Sequence, residues 1–369
     1  MTVKNSREPV VYFADIRVDS LSAKKTLPAK YIRMLEKLDL PSRVKGKSVA
    51  VKMHFGGDIG YTTIHPLFIR LLVDKLKEAG AKSVKAMDNN PATGVIRGYT
   101  EEVLGCPVVS SFGKDGKNLR KQKIGFKGVD EVEFAGEALD CDFFLDLSHA
   151  KGHGACGFGG ALKNIAMGVI PPSSRGKVHG LEGGIIWDRD KCTFCLKCVK
   201  ACPNDAMNYR KEEKQIGINY HNCTGCQHCI LACAEGAVRI EKERFSEFSE
   251  GMARVTEKFL GHFSPENLLF INVLTSITIY CDCWGFSTAS LVPDIGILAS
   301  TDIAAIDTAS LDMIKTENLL ESGLPKGREL LDVDGHLFEK IHGKDPYMML
   351  RYLEEIYDCS SKYRLEEIK

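Results

Sequence analysis

Eight of the 14 cysteines lie within 42 residues, between Cys192 and Cys233. They form two runs of identical spacing, C-x2-C-x2-C-x3-C, which begin 31 residues apart. In this spacing three thiolates of a run bind irons of one 4Fe-4S cluster, and the fourth reaches the other cluster. The runs therefore predict two 4Fe-4S clusters. Cluster 1 would be held by Cys192, Cys195, Cys198 and Cys233, and cluster 2 by Cys223, Cys226, Cys229 and Cys202.

Structural zinc is the alternative for these cysteines, because C-x2-C pairs also bind zinc tetrahedrally. Two identical quartets favour iron–sulfur clusters, since zinc ribbons do not use this spacing. Residues 185–242 resemble the bacterial two-cluster ferredoxins, and the resemblance implies an α+β domain that holds both clusters. Ala234 replaces the proline that the family usually repeats, as at Pro203, and this removes no ligand. Strands 185–187 and 218–220 are predicted to pair as a hairpin beside the clusters.

The chain on either side of this segment alternates short β-branched runs with longer helical patterns. This alternation predicts an α/β fold with a mostly parallel sheet and helices on both faces. The predicted strands are 10–13, 48–53, 83–87, 108–110, 143–147, 268–279 and 295–298, and the clearest helices are 63–79 and 302–315.

The junctions of the cysteine segment indicate an insertion. Gly183 and Gly184 precede it, and a charged run, 241–244, follows it. Surface loops accept inserted domains at little cost to the host fold. We therefore expect an α/β core formed by residues 1–184 and 243–369, with a ferredoxin-like insert at 185–242.

Charge and hydropathy exclude several function classes. Lys and Arg total 49, as do Asp and Glu, and there is no basic stripe, so nucleic acid is not expected as a partner. The longest apolar run, Leu268 to Ile279, is shorter than a membrane span, and the N-terminus lacks the apolar core of a signal peptide. We expect a cytoplasmic protein that meets a redox partner protein and no membrane.

Polar side chains follow several predicted strands. In open α/β sheets ligands bind at the carboxyl ends of the strands. His54, Asp88, Lys151 and His153 are therefore the candidate catalytic residues, and we expect them to lie around one crevice together with Cys281.

A glycine-rich stretch from Gly152 to Gly160 lies between a predicted strand and a predicted helix. It contains G-x-G-x-x-G, but no strand ending in an acidic residue follows, and the Walker pattern is also missing. A helix start beside a lysine can instead hold an anion, such as a small anionic substrate. The alternative is that the glycines only allow a tight turn. The candidate anion site consists of Gly157, Gly159, Gly160 and Lys163.

A third metal is a further hypothesis, because thiolates and imidazoles suit zinc, iron or nickel. The alternative is that Cys281 and Cys283 lie on an extended strand, where they would project to opposite faces. The candidate ligands are His149, Cys156, Cys281 and Cys283, with His153 nearby.

Lys52–Gly56, Leu162–Asn164 and a late stretch made of 281–283 and 291–307, all outside the insert, resemble the domain of unknown function 362 family, whose members often carry a ferredoxin-type insert. The resemblance implies an α/β core and iron–sulfur binding, but no settled reaction and no catalytic residues. Two functions remain open. The clusters could pass electrons to a substrate or metal centre in the core, as in an oxidoreductase, or the protein could be a non-catalytic electron-transfer or cluster-binding accessory that docks a redox partner.

Overall fold

A computed structural model of the chain describes residues 8–182, 184–203, 205–219, 222–223, 228–241 and 244–369. The strands are β1 Val10–Asp15, β2 Ser48–Lys52, β3 Ser83–Asp88, β4 Val108–Ser110, β5 Leu119–Phe126, β6 Val129–Ala135, β7 Phe143–His149, β8 Lys151–His153, β9 Gly157–Gly159, β10 Gly184–Trp187, β11 Met207–Arg210, β12 Gln215–Ile218, β13 Val238–Glu241, β14 Leu268–Leu274, β15 Gly296–Ser300 and β16 Arg364–Glu367. The helices are α1 Leu27–Lys37, α2 Leu40–Val44, α3 Pro66–Glu78, α4 Glu101–Leu104, α5 Gly136–Leu139, α6 Ala161–Gly168, α7 Pro172–His179, α8 Lys197–Lys200, α9 His228–Leu231, α10 Arg244–Leu260, α11 Ile303–Met313, α12 Leu337–His342 and α13 Met348–Ile356.

The core is one eight-stranded sheet with the order β16-β1-β15-β14-β7-β2-β3-β4. Five of its seven pairings are parallel, and only β15 pairs antiparallel, with β1 and β14. The four neighbours β14, β7, β2 and β3 all run in the same direction, so their carboxyl ends meet at one edge. The predicted α/β fold with a mostly parallel sheet is confirmed.

The sheet is covered on both faces, because alternate residues of a strand point to opposite sides. In β14, Leu268 and Phe270 join one hydrophobic cluster, while Leu269 and Ile271 join the other. Apolar side chains of α6, α10, α11 and α13 pack in the first cluster, and those of α1 and α3 pack in the second.

Two boundaries differ from the sequence prediction. Strand β14 ends at Leu274 instead of Ile279, since Ser276 adopts a left-handed backbone and its N–H donates to Asp294 Oδ1 at 2.6 Å. Helix α3 begins at Pro66, where the fixed φ of proline suits the first helical position.

The predicted hairpin between 185–187 and 218–220 is wrong for the residues that the structure describes, and Tyr220 lies outside them. Strand β10 pairs antiparallel with β13, and β12 pairs antiparallel with β11. A loop of four residues, 211–214, connects β11 to β12, so closing this hairpin costs little loop entropy. The pairing of β10 with β13 brings the two ends of the segment together.

The segment has a hydrophobic cluster of its own, separate from the two that cover the sheet. Ile185, Met207, Ile216 and Val238 are buried in it, and Trp187 packs against it. Within the described part of the chain, no helix is long and apolar enough to cross a membrane.

Candidate functional site

A cavity of about 200 Å³ lies at the sheet edge where β2, β3 and β7 end. The loops that follow these strands form part of its wall, and side chains from α6, α7 and α10 complete it. The convergence expected from the sequence is observed. The candidates that line this cavity are His54, Asp88, Lys151, His153 and Cys281.

Asp88 ends β3 and is the centre of a buried hydrogen-bond network. Its carboxylate accepts from Lys52 Nζ at 3.0 Å and from the Phe55 N–H at 2.8 Å, and it lies 3.0 Å from His54 Nδ1. Burial alone would raise the pKa of Asp88, but the charges of Lys52 and His54 outweigh it and hold this pKa well below its ordinary value. Asp88 is therefore a carboxylate that orients His54.

The other ring nitrogen of His54 has no hydrogen-bond partner among the described residues. Nε2 is buried, and no described residue hydrogen-bonds to it, although the side chain as a whole is 27% exposed. With Nδ1 held by Asp88, Nε2 is free to bond to a molecule in the cavity.

Lys52 was not a site candidate in the sequence analysis, although it is almost fully buried. Besides Asp88, its ammonium donates to Asn164 Oδ1 at 3.1 Å, and Asn164 Nδ2 donates to Asp146 Oδ1 at 2.8 Å. Burial raises the pKa of Asp146 well above its ordinary value, even though the Ser148 hydroxyl donates to it at 2.5 Å. For Asp146 the available sequence signal was a charged residue inside the otherwise apolar run 143–147.

Asp282, another residue that the sequence analysis did not single out, pairs with two predicted site residues. Its carboxylate lies 2.8 Å from His149 Nδ1 and 2.9 Å from Lys151 Nζ. Burial opposes its ionisation, but Lys151 and His149 hold its pKa well below the ordinary value. His149 Nε2 lies 2.8 Å from the Thr275 carbonyl, so both ring nitrogens of this predicted metal ligand have protein partners.

Cys281 and Cys283 flank the first residue of a 3-10 turn, Asp282–Trp284. Their sulfurs and a ring nitrogen of His153 lie within 4.8 Å of one another, which is close enough to hold one metal ion. Among the described residues this is the only group of three or more such ligand atoms. The turn brings both sulfurs to one side, unlike the extended strand considered as the alternative.

Lysine charge acts on this pair. Lys163 Nζ lies 3.5 Å from Cys281 Sγ. Burial opposes ionisation of Cys281, but a hydrogen bond from Cys283 and the charges of Lys163 and Lys151 outweigh it, so the pKa of Cys281 lies well below its usual value. Burial and the neighbouring Cys281 raise the pKa of Cys283. Cys281 is therefore the more acidic thiol of the two.

Cys156 also lines the cavity but lies outside the group of three ligand atoms. Its thiol donates to the Phe158 carbonyl at 3.1 Å, and burial raises its pKa to about 12.

The glycine-rich stretch forms a short hairpin, in which β8 pairs with β9. Gly159, Gly160 and Lys163 line the cavity, whereas Gly157 lies against the backbone of Lys344 in a left-handed conformation. The start of α6 is already occupied, because the N–H groups of Ala161 and Leu162 donate to the Asp307 carboxylate at 2.8 and 2.9 Å. These donors are therefore not available to an external anion, and Lys163 remains the cationic group of the predicted anion site.

The cysteine segment contains a second, smaller cavity of about 90 Å³. The four cysteines predicted for cluster 1 line it, which are Cys192, Cys195, Cys198 and Cys233. Of the predicted cluster 2 ligands, Cys202, Cys223 and Cys229 belong to the hydrophobic cluster of the segment. Cys226 lies outside the described residues.

A family model described as "Domain of unknown function (DUF362)" matches residues 49–312. No protein of curated annotation matches the sequence. Similar solved structures include the lactate racemase apoprotein from Thermoanaerobacterium thermosaccharolyticum, at 13% identity and a TM-score of 0.37 over 66% of this chain and 49% of that one. A Thermotoga maritima structural-genomics protein has 13% identity and a TM-score of 0.37 over 69% and 52%. The chain spans about half the length of each of these two proteins. Because both scores are below 0.5, no property of either protein is transferred to this chain.

Proposed function

The chain belongs to the DUF362 family, whose description assigns no reaction, and we propose from its own residues that it is an iron–sulfur electron-transfer protein. It holds two 4Fe-4S clusters in the cysteine segment and delivers electrons to a small anionic substrate in the core cavity. This makes it an oxidoreductase.

The observation that carries the proposal is the ligand set of the 90 Å³ cavity. Cys192, Cys195 and Cys198 come from the first run, while Cys233 is the last cysteine of the second run. Four thiols that meet in this crosswise manner are the set that a two-cluster ferredoxin spacing requires. The buried side chains of Ile216 and Val238 line the same cavity and would limit the access of water to a cluster.

The spacing of these thiols favours a cluster over a single zinc ion. Zinc holds sulfur at about 2.3 Å in a tetrahedron, which puts neighbouring sulfurs about 3.8 Å apart. Among the described residues, no three of the four thiols have sulfurs within 4.8 Å of one another. A site wider than one ion fits a cubane of iron and sulfide.

The segment joins the core beside the larger cavity. It leaves the core just after α7, whose last residue His179 lines this cavity, and returns at α10, whose Phe248 also lines it. The core residues His179 and Phe248, which flank the segment in sequence, therefore both lie at the cavity wall. An electron carrier without a substrate would not need this placement, which favours the oxidoreductase over the accessory protein.

The charges that line the cavity favour an anion. Four cationic side chains line the cavity, which are Lys52, Lys151, Lys163 and Arg175, and Asp88 is the carboxylate among its lining residues. Asp88 neutralises Lys52, and Asp282 neutralises Lys151 from behind the wall. Lys163 shares its charge with the Cys281 sulfur 3.5 Å away, and Arg175 pairs with no carboxylate among the described residues, so these two cations would attract a carboxylate or phosphate group.

The chain's own residues have separable roles in this proposal. Lys163 and Arg175 bind the anionic group of the substrate. His54 Nε2 forms a hydrogen bond to the substrate or transfers a proton to or from it, and Asp88 holds the imidazole ring in place. The clusters, when bound, supply electrons one at a time.

The cluster assignment is tested by electron paramagnetic resonance of the reduced, anaerobically purified full chain. Cys233→Ser should lose cluster 1, although Cys233 lies in the second run by sequence. Its remaining spectrum should match that of Cys198→Ser, which removes another ligand of cluster 1. Cys229→Ser should lose cluster 2 and leave the spectrum of cluster 1. Cys106 is a buried cysteine of the core, so the spectrum of Cys106→Ser should match that of the unmodified protein. A Cys233→Ser spectrum like that of Cys229→Ser would refute the assignment.

A further inference from the structure

The cavity wall contains two cysteines that are neither proposed cluster ligands nor proposed contacts of the substrate. Cys281 and Cys283 both line the cavity, and their sulfurs lie within 4.8 Å of each other. Cys283 N–H also donates to Cys281 Sγ at 3.5 Å, which keeps this sulfur over the turn. The sulfurs are near enough for side-chain rotation to bring them to bonding distance.

We propose that Cys281 and Cys283 form a dithiol–disulfide couple that receives electrons inside the cavity. The couple deepens the proposed function, and only the identity of its donor, an iron–sulfur cluster, rests on that function. The thiol chemistry itself needs no cluster, because small thiols can drive it in either direction.

The contacts of His153 favour a thiol pair over a bound cation. The N–H groups of Ala155 and Cys156 point at His153 Nδ1, at 3.1 and 3.4 Å. A neutral ring with an accepting Nδ1 carries its proton on Nε2. Nε2 lies 3.9 Å from Cys283 Sγ, so the ring presents an N–H to this sulfur. A metal-binding imidazole has the reverse arrangement, in which the distant nitrogen donates and the near one offers its lone pair.

Lys163 supports the same conclusion. Its ammonium lies 3.5 Å from Cys281 Sγ, at a distance where it stabilises a thiolate and repels a metal cation. Trp284 packs on the His153 ring with the centroids 4.7 Å apart, which holds the imidazole against the pair.

The half-reaction consumes two electrons and one proton. The S–S bond breaks, Cys281 leaves as a thiolate beside Lys163, and Cys283 becomes a thiol. The proton reaches Cys283 from cavity water, and the His153 Nε2–H group points at the Cys283 sulfur while it is taken up. Two one-electron transfers from an iron–sulfur donor supply the electrons. A ring closed by C-x-C is small, and strained disulfides are the more readily reduced ones.

The experiment equilibrates the anaerobically purified full chain in glutathione buffers of graded ratio, alkylates the free thiols and digests with trypsin. Residues 259–315 form one tryptic peptide in which Cys281 and Cys283 are the only cysteines, so its mass reports the couple directly. The disulfide form should appear at oxidising ratios with a two-electron midpoint. Lys163→Met should favour the disulfide about tenfold, which is about 30 mV for this couple.

Cys156→Ser is the matched control, since this cysteine lines the same cavity outside the pair, and its midpoint should be unchanged. Folding of Lys163→Met is checked by a thermal melt. If this variant is unfolded, the titration of the unmodified chain still tests whether the couple exists. A peptide that stays fully alkylated at every ratio would overturn the couple. So would thiols that resist alkylation until a chelator releases one equivalent of metal. The iron and sulfide contents of the same sample test the proposed clusters independently of the thiol couple.

Discussion

Replacement of Asp88 by Asn tests whether its carboxylate stabilises the buried charge of Lys52. The Asp88 and Lys52 side chains are 6% and 1% exposed, and their atoms are 3.0 Å apart. An amide has one carbonyl for three donors, those of Lys52, His54 and the Phe55 backbone. Removing one partner of a buried pair typically costs about 3–5 kcal/mol, mainly because the other charge stays buried without its counterion. We expect Asp88→Asn to lose about this much free energy of unfolding.

The assay is urea unfolding followed by circular dichroism, with Asp74→Asn as the control. Asp74 pairs with Arg70 on the surface, where an ion pair is worth at most about 1 kcal/mol. The double variant Lys52→Met/Asp88→Asn should cost clearly less than the sum of its single variants, because it removes both charges. An Asp88→Asn loss below about 1 kcal/mol, or strict additivity in the double variant, would refute the reasoning.

Further predictions concern Asp307 and Arg175. Burial raises the pKa of Asp307 to about 6, so the folded state holds this proton more tightly than the unfolded state does. The stability that Asp307 contributes should therefore fall by up to about 3 kcal/mol as pH rises from about 4 to about 6, and the difference in urea midpoint between the unmodified chain and Asp307→Asn should follow this fall. Arg175→Met should weaken calorimetric binding of phosphate or a small dicarboxylate at least about tenfold, whereas the surface variant Arg70→Met should not. Equal binding by both variants would place the anion elsewhere.

Local spacing in the sequence predicted the parts of the molecule that depend on neighbouring residues. The positions of seven of the eight strands of the core sheet follow from apolar runs, and the four cysteines that line the 90 Å³ cavity follow from the two cysteine runs. The convergence of His54, Asp88 and His153 follows from the rule that parallel strands end at one edge.

Long-range partners could not be predicted in this way. Asp307 reaches the start of α6 from 146 residues away, and Asp282 reaches His149 from 133 residues away. No periodicity reports such contacts. The hairpin prediction for the cysteine segment failed for the opposite reason, since β12 pairs with β11, the strand nearest to it in sequence.

The central claim is that the cysteine segment holds two 4Fe-4S clusters, and the most direct measurement counts iron and acid-labile sulfide per chain after anaerobic reconstitution. Two complete runs predict about eight irons and about eight sulfides. About two zinc ions per chain with no labile sulfide would contradict the account.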